Sequence, residues 1–124
     1  MVKIIGGEDC GNSPKNLLLR DLIIAMARRD AAAVLEKLSD DFHWTIPAVT
    51  TMDGKEAMAA ALEQAEPLAE LRILNVITHG KAGALNSEAR FENGRSFAVC
   101  DVVEFANAKG TAVRAMTSYV VEVT

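Results

Sequence analysis

Apolar residues in the first third of the chain recur at helical spacing. After Ser13-Pro14, an N-cap residue followed by a proline suited to a first helical turn, Leu18, Leu22, Ala25 and Met26 form one stripe that runs out at Arg29. Asp30 is placed to cap a second helix, Ala31 to Leu38, with Val34, Leu35 and Leu38 on its apolar side. An Asp-Asp pair then stops it. Gly54 precedes a third helix, Lys55 to about Glu66, which is rich in alanine and is ended by Pro67.

Elsewhere the period is two. Phe42 to Pro47 alternates Phe, Trp and Ile with His and Thr, which predicts a half-buried strand between the second and third helices. Beyond Pro67, strands are predicted over Leu71 to His79, Ala84 to Glu92, Ser96 to Ala106 and Ala112 to Val123. The turns are Asn93-Gly94, a strong hairpin signal, and Asn107 to Gly110. Helices gathered in the first half and hairpin-linked strands in the second predict a single α+β domain with an antiparallel sheet.

Parity along the strands selects a candidate pocket. The odd positions Phe97, Val99, Asp101, Val103 and Phe105 share one face, so a single carboxylate sits in an apolar stripe. An Asp there needs hydrogen-bond donors or a wet cavity, or else it keeps its proton. It is therefore a candidate acid or base, or a hydrogen-bond donor in a ligand cavity; the alternative is an Asp satisfied by backbone N–H groups or an Arg. On the last strand the odd positions Val113, Ala115, Thr117, Tyr119 and Val121 are expected to face the same space, with Thr117 and Tyr119 adding hydroxyls. Trp44 is expected to line the cavity or to pack under the helices. His79 closes its strand just before Gly80; the odd and even faces of that strand compete, so its orientation stays open between the cavity mouth and a turn.

The even positions Ala98, Cys100, Val102, Met116 and Val120 make the opposite face largely apolar as well, which predicts a second copy of the chain as its cover.

Composition narrows the field. The 124 residues suit one domain, and 13 basic against 17 acidic residues, with no basic stripe, argue against nucleic acid as a partner. Apolar stretches are too short for a membrane span, and Met1 to Gly7 is too short for a secretory segment, so a cytoplasmic protein is expected. Cys10 and Cys100 are far apart and match neither a redox motif nor paired zinc ligands; both are read as thiols. With only His43 and His79, and no zincin, dinucleotide, P-loop or serine-hydrolase motif, no metal or cofactor is expected. His43 should point away from the cavity if Trp44 points in.

The stretches Arg20 to Asp41, Phe42-His43-Trp44 and Gly54-Lys55-Glu56-Ala57, then Cys100 to Phe105, Gly110 and Met116 to Tyr119, resemble in order and spacing the nuclear transport factor 2-like superfamily, in its SnoaL-like and ketosteroid-isomerase-like branch. The resemblance covers nearly the whole chain after residue 13. It implies a cystatin-like cone, a strongly bent antiparallel sheet wrapped around three helices and enclosing an apolar cavity, commonly dimeric through the outer sheet face. Residues 1–12 would be an N-terminal extension and 13–124 a single SnoaL-like domain.

By the same resemblance, Asp101 lies where ketosteroid isomerases keep the protonated acid of their oxyanion hole. Ile46 stands where they have the proton-abstracting carboxylate and Leu22 where they have a tyrosine, so steroid isomerisation is not expected. Superfamily membership fixes no reaction.

Two functions remain. One is proton-transfer chemistry of the isomerase, dehydratase or cyclase type on a hydrophobic carbonyl or cyclic substrate. Asp101, Tyr119 and His79 would be its catalytic groups, and Trp44, Ile46, Phe97, Val99, Thr117 and Leu22 would line the pocket. The other is a non-catalytic domain that binds a small hydrophobic molecule in the same pocket.

Overall fold

A computed structural model describes residues 1–8 and 13–123. Three helices lie on a curved, unclosed seven-stranded sheet. In chain order the elements are β1 (Lys3–Ile5), α1 (Pro14–Ala27), α2 (Ala31–Leu35), β2 (Leu38–Ile46), β3 (Thr50–Asp53), α3 (Gly54–Gln64), β4 (Leu68–His79), β5 (Ala82–Phe91), β6 (Ser96–Phe105) and β7 (Val113–Val123). The sheet order is β1-β4-β5-β6-β7-β2-β3. Most neighbours are antiparallel, but β1 pairs with β4 and β2 with β7 in parallel, a mixture that hairpin signals alone do not predict.

The local signals act as their chemistry requires. Ser13 accepts a hydrogen bond from the Asn16 N–H at the start of α1, and Asp30 Oδ1 accepts one from the Ala33 N–H at the start of α2. α2 is shorter than its apolar stripe suggests, because Leu38 already opens β2. The Asn93-Gly94 turn closes β5 onto β6, with Gly94 at φ +92° and its N–H bonded to the Phe91 carbonyl at 3.0 Å. Two short strands, β1 and β3, lack a sequence signal: each is only three or four residues long and is completed by its neighbour in the sheet. Cys10 and the rest of residues 9–12 lie outside the described residues.

The core forms where α1 and α3 pack on the concave face. Leu19, Leu22, Val34, Phe42, Met58, Leu85, Phe105, Val113 and Met116 are fully buried there. It is built mainly from aliphatic side chains, in keeping with 4 Phe, 1 Tyr and 1 Trp in the whole chain.

Two irregularities decide which side chains face inward. In β7, Phe105 pairs with Val113 but Glu104 pairs with Ala115, so one extra residue is accommodated at Arg114. Past that bulge the parity reverses. Val113 points in, and Met116 and Ser118 follow it, opposite Val103 and Asp101. Thr117 and Tyr119 therefore lie on the outer face, where Tyr119 is 53% exposed, contrary to the expectation that they share the cavity with Asp101.

The second shift lies between Ile73 and Asn75 of β4. Leu71 and Ile73 are buried before it, and Val76 and Thr78 take the inner side after it. The competing faces of this strand are thus both real, one on each side of the bulge. His79 ends on the outer side, exposed, and is not at the cavity mouth.

Candidate ligand cavity around Asp101

Between the concave face and the helices lies a cavity of about 350 Å³. That is near the lower end of the roughly 300–1,000 Å³ common for small-molecule sites. β6 contributes Val99 and Asp101, β7 Ser118 and Val120, and β5 Ser87, Ala89 and Phe91. Trp44 and Ile46 of β2 form one wall, while Ile23 and Met26 of α1 and Leu62 of α3 form the roof. Larger open grooves occur beside Met1 and Arg28 (about 420 Å³) and beside Lys81 and Thr117 (about 560 Å³), but neither contains a buried polar side chain.

Asp101 is 5% exposed. Its Oδ1 accepts a 2.5 Å hydrogen bond from the Ser118 hydroxyl, and Ser118 Oγ in turn accepts a 2.8 Å bond from the Trp44 indole N–H. The chain Trp44–Ser118–Asp101 crosses three strands and uses the indole's one donor and the hydroxyl's one proton. Burial pushes the Asp101 carboxyl up to about 6, against a smaller downward pull from the Ser118 hydrogen bond. No fully buried side-chain oxygen or nitrogen among the described residues lacks a partner. Asp101 Oδ2, which has no hydrogen bond among the described residues, must therefore border the cavity. A carboxyl group is presented there with one oxygen fixed and the other open.

The mouth lies where α1 and α3 end. Arg29 holds φ +55°, a left-handed conformation uncommon outside glycine, and its Nη1 donates to the Ala65 carbonyl at 3.0 Å, fastening the two helix ends together. Glu66 also lines this rim, with Oε2 accepting from Asn93 at 2.7 Å.

Of the residues singled out from the sequence, Asp101, Trp44, Ile46 and Val99 meet in this cavity. Leu22 does not line it: it is fully buried in the core, and its α1 neighbours Ile23 and Met26 take that place. Phe97 stands at the side, edge-on to Phe91 at 5.5 Å and beneath the Arg95 guanidinium at 5.1 Å, lining a separate groove of about 300 Å³. Thr117, Tyr119 and His79 are outside it.

Ser118 and Ser87 are the buried polar cavity residues that sequence reasoning missed, and Val120, expected on the outer face with Met116, lines the cavity because the β7 bulge turns both inward. Ser118 could be placed only by knowing the β7 bulge. Ser87 is within reach of parity alone, because it alternates with Leu85, Ala89 and Phe91 on one apolar face of its strand.

No group of three or more His, Cys, Asp or Glu residues among those described is arranged to hold a metal ion, and no helix among them is long and apolar enough to cross a membrane.

Known proteins place this geometry in context. The sequence pattern of the SnoaL-like domain matches residues 19–115. A search of curated proteins returns no match. Among solved structures, a candidate ketosteroid isomerase from Kribbella flavida superposes with a TM-score of 0.77 at 12% identity, covering 89% of this chain and 79% of that one. An NTF-2 like protein of unknown function from Burkholderia xenovorans gives 0.76 at 19% identity over 87% and 83% of the two chains. An LEH-like epoxide hydrolase from M. tuberculosis gives 0.72 at 18% identity over 86% and 82%. At such identities the structural likeness speaks for the fold alone, and the sequence match over most of the chain speaks for the family. The chain belongs to the SnoaL-like domain family, and its fold is the one shared with NTF2-like proteins.

Proposed function

We propose that the protein binds a small, mostly apolar ketone or enone in the cavity and moves a proton at the carbon next to the carbonyl, with Asp101 as acid and base. The observation that carries this reading is the state of Asp101. It is buried in an apolar wall, fixed through Oδ1 by Ser118 and open through Oδ2 to a ligand-sized space. A carboxyl poised near 6 has both a base form and an acid form accessible close to neutral pH, which efficient proton transfer needs. The solved relatives with named activities, a candidate isomerase and an epoxide hydrolase, support a reactive use of such a cavity.

Bound 2-tetralone tests the reading, because its enolisable hydrogens exchange in D2O and can be followed by proton NMR. The protein accelerates exchange over buffer, and Asp101→Asn abolishes the acceleration. Binding without accelerated exchange would favour the non-catalytic alternative, which draws on one observation: among the described residues the side-chain partner of Asp101 is a hydroxyl, not a second titratable group.

The outer sheet face supports pairing of two copies. Ile77, Val102, Tyr119 and Val121 are exposed there, and the register sets Cys100 beside Tyr119 and Ala98 beside Val121 in one apolar band. Such a patch on a soluble chain favours a cover. The compartment in this reading is the cytoplasm, where the unbridged Cys100 stays reduced.

A further inference from the structure

Ser87 is 3% exposed and lines the same cavity. No hydrogen bond to its hydroxyl exists among the described residues, and since no fully buried oxygen there lacks a partner, Oγ borders the cavity. Its O–H therefore has no acceptor among the described residues and is available to a molecule in the cavity. The β5–β6 register gives its position: Leu85 faces Asp101 and Ser87 faces Val99, so Ser87 is the diagonal neighbour of Asp101 on the inner face. Diagonal pairs lie roughly 7 Å apart at the backbone, which leaves room for a ligand's C=O and its adjacent carbon between the two side-chain tips.

We propose that Ser87 is a second catalytic residue, whose hydroxyl donates to the carbonyl oxygen of the substrate while Asp101 acts on the neighbouring carbon. The assignment rests on the role given to Asp101 above and adds to it the donor that the reaction requires. As Oδ2 of ionised Asp101 takes the proton, the C–H bond breaks, its electron pair forms the C=C bond of the enolate, and the carbonyl π pair moves onto oxygen. The Ser87 O–H meets that charge. Oδ2 then trades that proton for a deuteron of the D2O solvent and delivers it to the same carbon, giving exchange, or passes the proton to the far carbon of the conjugated system, giving isomerisation. Neither outcome needs an oxidant, a reductant or a co-reactant.

The substrate class follows. It is a neutral ketone or enone with an enolisable position and one oxygen at its buried end, because the floor offers one donor and one carboxyl and is otherwise apolar.

2-Tetralone labelled with 13C at the carbonyl serves as the probe, with binding read from Trp44 fluorescence. In Ser87→Ala, the exchange rate of the bound ketone falls about a hundredfold, the scale of losing one oxyanion donor. Its affinity changes less than threefold, and the carbonyl stretch moves up to the frequency of a ketone in an apolar solvent. Ser87→Thr, which keeps the hydroxyl, retains exchange within tenfold of the unsubstituted protein. Wild-type exchange in Ser87→Ala, or an unmoved carbonyl stretch, overturns the role of Ser87 while leaving that of Asp101 intact. Absence of accelerated exchange in the unsubstituted protein overturns both. Failure of 2-tetralone to bind overturns the substrate class.

Discussion

Asp101 and Ser118 stand directly opposite each other on β6 and β7, and the Ser118 hydroxyl donates a 2.5 Å hydrogen bond to Asp101 Oδ1. The bond fixes one carboxyl oxygen and turns the other toward the cavity. It also opposes the effect of burial, which alone would hold the proton more tightly.

Removal of that donor raises the affinity of Asp101 for its proton. In Ser118→Ala the carboxyl titrates higher than in the unsubstituted protein, as read from the Asp101 side-chain 13C shift. The variant also leaves the Trp44 N–H and Asp101 Oδ1 without their partner, at a cost of about 1–3 kcal/mol in urea unfolding.

Asp101 makes the protein less stable as pH rises. Its carboxyl lies near 6 in the folded chain against 3.8 for an ordinary Asp, so between these values the folded state binds the proton that the unfolded state has released. Stability from this group is complete below about pH 4 and declines as pH rises through 6, by at most roughly 3 kcal/mol. Asp101→Asn, which carries no charge, is accordingly more stable than the unsubstituted protein at pH 8. The difference between the two shrinks toward pH 4, and denaturant titrations of both proteins across this range measure it.

Tyr119 separates the outer face from the cavity. With its ring on the convex side, Tyr119→Phe leaves 2-tetralone affinity and exchange within about twofold. Tyr119→Glu places a charge in the apolar band and shifts a concentration-dependent dimer toward monomer in sedimentation equilibrium. A monomer at every concentration before substitution would contradict pairing through this face.

Trp44 is the single tryptophan of the chain and lines the cavity, so its emission reports occupancy directly. Trp44→Phe keeps the ring but removes the donor to Ser118. It costs about 1 kcal/mol of stability and leaves the Ser118–Asp101 bond in place, so Asp101 titrates close to its position in the unsubstituted protein.

The three helices, the caps of α1 and α2, the Asn93-Gly94 hairpin and the inward face of β6 were legible in the sequence because each rests on a local rule: helical spacing, a capping side chain, a turn glycine, or alternation by two. Asp101 stood out on that basis alone. What was not legible depends on register across strands. A single extra residue at Arg114 reversed β7, so that Thr117 and Tyr119, read as cavity hydroxyls, gave way to Ser118. The shift after Ile73 left His79 on the outer side in the same way. Bulges are set by pairing partners distant in the chain, and parity counted along one strand cannot detect them. Leu22 failed for a different reason. A helix buries a broad stripe, and the sequence does not say which part of it meets the packed core and which part roofs a cavity.

The claim on which the rest depends is that an apolar cavity keeps Asp101 able to hold and release a proton close to neutral pH. A 13C NMR titration of the Asp101 side-chain carboxyl, assigned by comparison with Asp101→Asn, measures it directly. A midpoint near 6 is the predicted result. A midpoint at the ordinary 3.8 would mean a solvated, permanently ionised carboxylate and would contradict the account.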